Sequence, residues 1–233
     1  MEKYTMQELS HLNAEKKNKD YFNLINERTL QINIDGSVWT KLGSMISYQG
    51  NIKFNRETLL GNGVGNMFKK MFSGGEGGEL VSASGKGNLL LADNGKKVLI
   101  IDMFNESICV NGNDILAFEN SLKHDIKLMK RITGIMAGGL FNVKCQGSGL
   151  IAITFHGEPI VLKVEPNKPI ITDPNATVAW SGHLNPELKT DISYRTFLGR
   201  GNGEAFQMVF EGKEGFVLVQ PYEEVYFNNN NNN

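Results

Sequence analysis

Three stretches of the chain share one form: two closely spaced glycines and then an apolar run. They read SGKGNLLLAD (Ser84–Asp93), QGSGLIAITF (Gln146–Phe155) and EGKEGFVLVQ (Glu211–Gln220). The leading glycines, Gly85, Gly147 and Gly212, are 62 and 65 residues apart. Upstream of each, alternate positions are apolar: Val81 and Ala83; Phe141, Val143 and Cys145; Phe206, Met208 and Phe210. Alternation with period two is the pattern of a half-buried strand, and a fixed long spacing is the mark of an internal repeat. A dinucleotide-binding glycine loop opens onto a helix. Here a strand follows in all three copies. Gly85, Gly87, Gly147, Gly149, Gly212 and Gly215 therefore read as structural turn or bulge glycines, not as a phosphate cradle.

A second landmark recurs. SMISY (Ser44–Tyr48), DILAF (Asp114–Phe118) and TVAWS (Thr177–Ser181) each follow a turn-rich stretch. Ala117 to Ala179 is again 62 residues, while the Gly-rich Leu59–Gly78 lengthens the first copy. Before them come strand-like Leu30–Ile34, Val98–Ile101 and Ile160–Val164. The spacing predicts β repeats over residues 28–93, 94–156 and 157–222. Residues 1–27 read as a short helix and lead-in, with Thr5 and Glu8 spaced as a capping box. Residues 223–233, ending in an asparagine run, read as a disordered tail. A unit of about 60 residues has a marginal core alone, so the units must shield one another.

Composition narrows the function. Balanced charge, 24 basic against 25 acidic side chains, supplies no general attraction to polyanions, which argues against nucleic acid as a partner. The two cysteines, Cys109 and Cys145, are far apart and read as reduced core residues. The N-terminus has no apolar signal-like run and no stretch reaches membrane-spanning length, so a cytoplasmic location is expected. His11, His124, His156 and His183 are isolated, and His156 with Glu158 lies at a turn, so no metal site is expected. Ser148 has no partner that spacing could nominate, and no nucleophile elbow or P-loop occurs. No catalytic residue and no cofactor are expected.

One feature points to contact with a partner. Between the two landmarks, every copy carries basic residues beside large apolar ones: MFKKMF (Met67–Phe72), LMKRITGIM (Leu128–Met136) and YRTFLGR (Tyr194–Arg200). Lys70, Arg131 and Arg195 stand 15, 16 and 17 residues before their copy's leading glycine. Phe68, Lys69, Lys70, Phe72, Lys130, Arg131, Arg195 and Arg200 are thus candidate interaction residues, facing an anionic membrane surface or a protein. The other reading makes these segments amphipathic connectors that cover one end of the β units while Lys and Arg extend outward.

Four segments taken together resemble the altered inheritance of mitochondria 24 family: MFKKMFSGGEGGELVSASGKGNLLLAD, AGGLFNVKCQGSGLIAITFHGEPIVLKVEP, DPNATVAWSGHL and GNGEAFQMVFEGKEGFVLVQP. The resemblance spans roughly residues 28–222 and leaves residues 1–27 outside it. It implies a fold similar to the tryptophan-RNA-binding attenuation protein (TRAP), often duplicated and assembled into rings. It also implies an association of mitochondrial members with inner-membrane organisation, and it brings no catalytic residues. Nothing here matches the RNA-binding motifs of that fold relative, so likeness of architecture carries no activity.

The expected architecture is all-β: three tandem TRAP-like or double-stranded β-helix-like units forming a β-sandwich or pseudo-barrel, preceded by a short helix. The expected function is that of a non-enzymatic scaffold or interaction protein that self-associates as a trimer or ring. A small-ligand or nucleic-acid binding module is the alternative. If the basic–apolar segments meet lipid, replacing Lys69, Lys70, Lys130, Arg131 and Arg195 with Ser lowers cosedimentation with anionic vesicles about tenfold or more, at about 1 kcal/mol per basic residue near the surface. Unchanged partition rules out the membrane contact.

Overall fold

The computed structural model describes residues 3–11, 19–55, 80–128, 141–190 and 206–223. A six-residue helix, α1 (Met6–His11), is the sole helix among them. Its start is the capping box that the spacing predicts: the Thr5 amide donates to Glu8 Oε2 at 2.8 Å and the Glu8 amide to Thr5 Oγ1 at 3.2 Å. Every regular element after it among the described residues is an antiparallel strand. First come β1 (Phe22–Asn26), β2 (Thr29–Lys41), β3 (Met45–Asn55) and β4 (Leu80–Leu91). Then follow β5 (Lys97–Asn111), β6 (Ile115–Glu119), β7 (Lys123–Leu128) and β8 (Phe141–Phe155). The last are β9 (Ile160–Val164), β10 (Ile170–Thr172), β11 (Thr177–Ser181), β12 (Glu187–Thr190), β13 (Phe206–Phe210) and β14 (Gly215–Val219).

In the first two regions the strand that carries the paired glycines is central, and in the third the strands on both sides of Gly212 are. β4 lies between β2 and β3. β8 has β5 on one side and β6 and β7 on the other. β14 lies between β11 and β9, and β13 between β10 and β12. Central strands need partners on both edges, which explains their richness in Leu, Ile and Val. The large sheet runs β3-β4-β2-β6-β8-β5-β11-β14-β9, with β1 added to β2 and β7 to β8; β10-β13-β12 form a second sheet. Different strands stand at the two ends of the large sheet, so it does not close into a barrel; the pseudo-barrel expectation is corrected. β1 also falls inside the region read as helix and lead-in, where it pairs with β2 through a tight Glu27–Arg28 turn.

The same small set of backbone contacts occurs at three places. Ser44, Asp114 and Ala176 donate their amides to the carbonyls of Lys41, Asn111 and Asp173 at 3.3, 2.9 and 3.1 Å, closing the turns before β3, β6 and β11. The carbonyls of Ser44, Asp114 and Ala176 then accept from Ala92, Thr154 and Gln220 at 2.9, 2.7 and 2.9 Å. Just beyond each turn the register slips by one residue: between Met45 and Ser47, Ile115 and Ala117, and Thr177 and Ala179. An extra residue of this kind turns two successive side chains toward one face.

That rotation joins neighbouring strand sets. β6 pairs with β2, with Trp39 opposite Phe118 and Thr40 opposite Ala117. Leu116 and Ala117 are fully buried in a cluster with Leu30, Ile32, Ile34, Leu89 and Leu91. β11 pairs with β5, with Cys109 opposite Trp180 and Val110 opposite Ala179. Val178 and Ala179 are likewise fully buried, in a cluster with Val110, Ile115, Ile151 and Ile153. A third cluster holds Val164, Trp180, Leu184, Met208, Phe210 and Val217, with Cys109 reaching into it.

A buried ionic knot pins the first of these junctions. Lys41 Nζ donates to Asp93 Oδ2 at 2.8 Å and to the Asn113 carbonyl at 2.7 Å. Lys96 Nζ pairs with Asp114 Oδ1 at 2.9 Å, and Thr154 Oγ1 donates to Asp93 Oδ2 at 2.9 Å. All four charges are buried, with Asp114 fully excluded from solvent. Breaking such a pair strands a charge in the interior.

Two substitutions test this architecture. A Cβ on Gly87 would meet the Gln49 carbonyl of the adjacent strand, backbone against backbone, so Gly87→Ala loses about 2 kcal/mol in urea unfolding. Asp93→Ala leaves Lys41 without its carboxylate and loses about 3–5 kcal/mol in the same assay. Wild-type stability in either variant would contradict these packing assignments.

Candidate functional site

The densest set of charged groups, the knot around Asp93, is the first place to look for chemistry. Its carboxylates and ammonium groups are turned toward each other inside the protein, with no face open to a substrate. Its chemistry is that of a structural pin. The cysteines are also enclosed: Cys109 and Cys145 are free thiols, both buried. Burial, with a smaller contribution from Cys109 nearby, pushes the Cys145 thiol up to about 12, so at neutral pH it stays protonated and unreactive.

The histidines are spread out. His124 packs its ring against Trp39 and Phe118, with centroids 4.9 and 5.1 Å away. His183 Nε2 lies 2.7 Å from the Glu214 carbonyl. The ring of His156 packs on Tyr222 at 4.1 Å, whereas Glu158 pairs with Lys97. The two therefore form no ligand pair. Among the described residues no group of three or more His, Cys, Asp or Glu side chains could hold a metal ion. Ser148 Oγ accepts from the Asn105 amide at 2.8 Å, which holds the irregular middle of β5 in place.

The six glycines singled out in the sequence lie in or next to the central strands. Gly85 and Gly87 lie inside β4, Gly147 and Gly149 inside β8, Gly212 between β13 and β14, and Gly215 opens β14. Gly85 has φ +136° and its missing side chain makes room for the Asn51 carbonyl, so the close approach of β3 to β4 depends on it. Phe68, Lys69, Lys70, Phe72, Lys130, Arg131, Arg195 and Arg200 lie outside the described residues.

What the sequence did not single out is an open edge at each end of the strand array. β3 pairs with β4 on one side, and among the described residues nothing pairs with its other side. Ten of its eleven residues are exposed, with only Ile52 buried. Met45, Ile46, Tyr48 and Phe54 are large apolar or aromatic groups left in water, at 45, 57, 49 and 36% exposure. Tyr48 and Phe54 pack edge-on at 5.4 Å, which forms an aromatic ridge. In the second sheet β10 pairs only with β13 among the described residues, and Ile171 is 56% exposed. Ile160 and Val161 on the end strand β9 are exposed too. Strand edges that carry exposed apolar residues are templates for adding another strand.

The contrast with equivalent positions shows why the sequence could not reveal this. Ile46, Leu116 and Val178 are each the extra residue after the corner, and all three are apolar. Leu116 and Val178 are wholly buried because a neighbouring strand set covers them; Ile46 has none beside it among the described residues. Composition at the position is the same, and only its place in the order differs. No helix among the described residues is long and apolar enough to cross a membrane.

Comparison with known proteins bears on fold and family. The crystal structure of protein SPYM3_0169 from Streptococcus pyogenes is similar to this chain, with a TM-score of 0.67 and 23% sequence identity. The match covers 87% of this chain and 92% of that one, and at this identity it speaks for the fold alone. No functionally curated protein matches the chain. The family model for mitochondrial biogenesis AIM24 matches residues 22–222, almost the whole strand array, and the chain belongs to that family.

Proposed function

We propose that this protein is a non-enzymatic scaffold: three tandem TRAP-like copies of one strand–corner–strand unit, with edges free to bind other macromolecules. The observation that carries this reading is β3, an eleven-residue strand with an unpaired edge and an exposed Met45–Ile46–Tyr48–Phe54 surface. The buried acids and bases around Asp93 support it as well, since they are engaged in holding strands together. In a tandem array the inner copies cover one another and the outer copies keep the faces that a neighbour would cover. The basic–apolar segments around Lys70, Arg131 and Arg195 add a second contact, peripheral to an anionic membrane or on a protein.

The test is the size of the complex in native extract. Wild-type protein elutes as a particle well above the 25.9 kDa of one chain. The Met45→Lys/Tyr48→Lys variant elutes at single-chain size with an unchanged melting temperature, because both side chains are exposed before substitution. A wild-type protein that runs as one chain, or a variant whose complex is undiminished, overturns the scaffold reading.

A further inference from the structure

Four charged side chains are enclosed at the first junction, and one pair of them is placed for a reaction as well as for attraction. Lys96 Nζ donates to Asp114 Oδ1 at 2.9 Å and to the Asn113 carbonyl at 3.3 Å, and lies 3.9 Å from Asp93 Oδ2. The Lys96 side chain is 3% exposed and that of Asp114 0%. Each stands in a tight turn fixed by its own backbone. The Lys96 amide donates to the Asp93 carbonyl at 2.8 Å, and the Asp114 amide to the Asn111 carbonyl at 2.9 Å. The Thr154 amide, donating to the Asp114 carbonyl at 2.7 Å, holds that turn against β8.

The corner itself does not need these charges. Its other two copies make the same backbone bonds with Ser44 and Ala176 where Asp114 stands. Where Asp93 follows Ala92, those copies have Phe155 after Thr154 and Pro221 after Gln220. Burial makes the ionic form costly, because each ion gives up its water and recovers only part of that loss from its partner. Joining an ammonium and a carboxylate as an amide removes both charges and returns one water to solvent. Lys41 and Asp93, 2.8 Å apart, would remain as a balanced pair.

We propose that Lys96 Nζ and Asp114 Cγ condense into an amide bond inside the folded protein, with Asp93 as the proton carrier. The Lys96 ammonium passes one proton to Asp93, and the freed amine attacks Asp114 Cγ. A second proton leaves the nitrogen as the carbon–oxygen bond breaks. The departing oxygen takes that proton and the one held by Asp93, and leaves as water. Nothing is oxidised or reduced, and no other reactant enters, so the closed interior is no obstacle. Groups locked in contact react at effective concentrations of about 10⁵–10⁸ M, which offsets the unfavourable equilibrium of this condensation in water. The bond closes residues 96–114 into a ring that ties together the two ends of β5, the strand that pairs with both β8 and β11. This goes beyond the scaffold reading and does not rest on it.

The experiment measures the intact mass of the purified full-length protein after denaturation, beside that of Lys96→Met, with the presence or absence of Met1 accounted for. We expect the wild-type chain to be lighter than its sequence requires by the mass of one water, and Lys96→Met to carry the full mass of its own sequence. A wild-type chain at its full mass overturns the proposal, and that measurement decides even where Lys96→Met fails to fold. One water missing from both chains overturns it as well, since the loss then lies elsewhere, as in a succinimide at Asp35–Gly36. The folded fraction of Asp93→Asn should carry full mass; a missing water there overturns Asp93 as the carrier.

Discussion

The structure depends on one corner, made three times. A tight turn closed by one amide leads into a strand with one residue too many, and that extra residue swings a pair of side chains onto the neighbouring strand set. At Leu116–Ala117 and Val178–Ala179 the result is complete burial. Without the slip, strict alternation would send every second side chain to the opposite face, and neighbouring sets would share backbone hydrogen bonds but little apolar surface. The bulge makes a pairing of strands into a shared core.

Two other features serve that corner. The glycines of β4 let β3 come close enough for carbonyls to fill the space that side chains would take. The knot of Lys41, Asp93, Lys96 and Asp114 ties the first turn to the next one, because Lys41 reaches the Asn113 carbonyl beside Asp114. At the second junction Asn111, one turn further along, reaches the carbonyls of Pro174 and Thr177 at 3.3 and 3.2 Å with a neutral amide. The position does similar work with different chemistry. Removing one member of a buried ion pair strands the other charge in the interior, so the charged version penalises any displacement of its turn.

Much of the fold was legible in the sequence because its signals are local. The period-two runs, the glycine pairs and the capping box at Thr5 and Glu8 each concern residues within a few positions of one another. Leu30–Ile34, Val98–Ile101 and Ile160–Val164 fall in β2, β5 and β9, and the three landmarks lie at or in β3, β6 and β11. What escaped was long-range. Phe22 and Leu24 of β1 were read as lead-in because a five-residue strand declares itself only through its partner, Leu30–Ile32. Asp93 and Lys96 look like solvated turn charges until β8 and the Asp114 turn close over them. Tyr48 and Phe118 stand at equivalent positions with opposite exposure, and no local pattern separates them. The basic–apolar segments, the most suggestive feature of the sequence, lie outside the described residues, so the candidate site rests on the strand edges instead.

Amide hydrogen exchange followed over a range of protein concentrations tests the central claim most directly. Residues 115–119 and 177–181 are paired on both sides, so their protection should be high and independent of concentration. Residues 46–49, whose outer edge has no strand beside it among the described residues, should exchange faster than either segment in dilute solution. Protection at 115–119 or 177–181 no higher than at 46–49 would contradict the account.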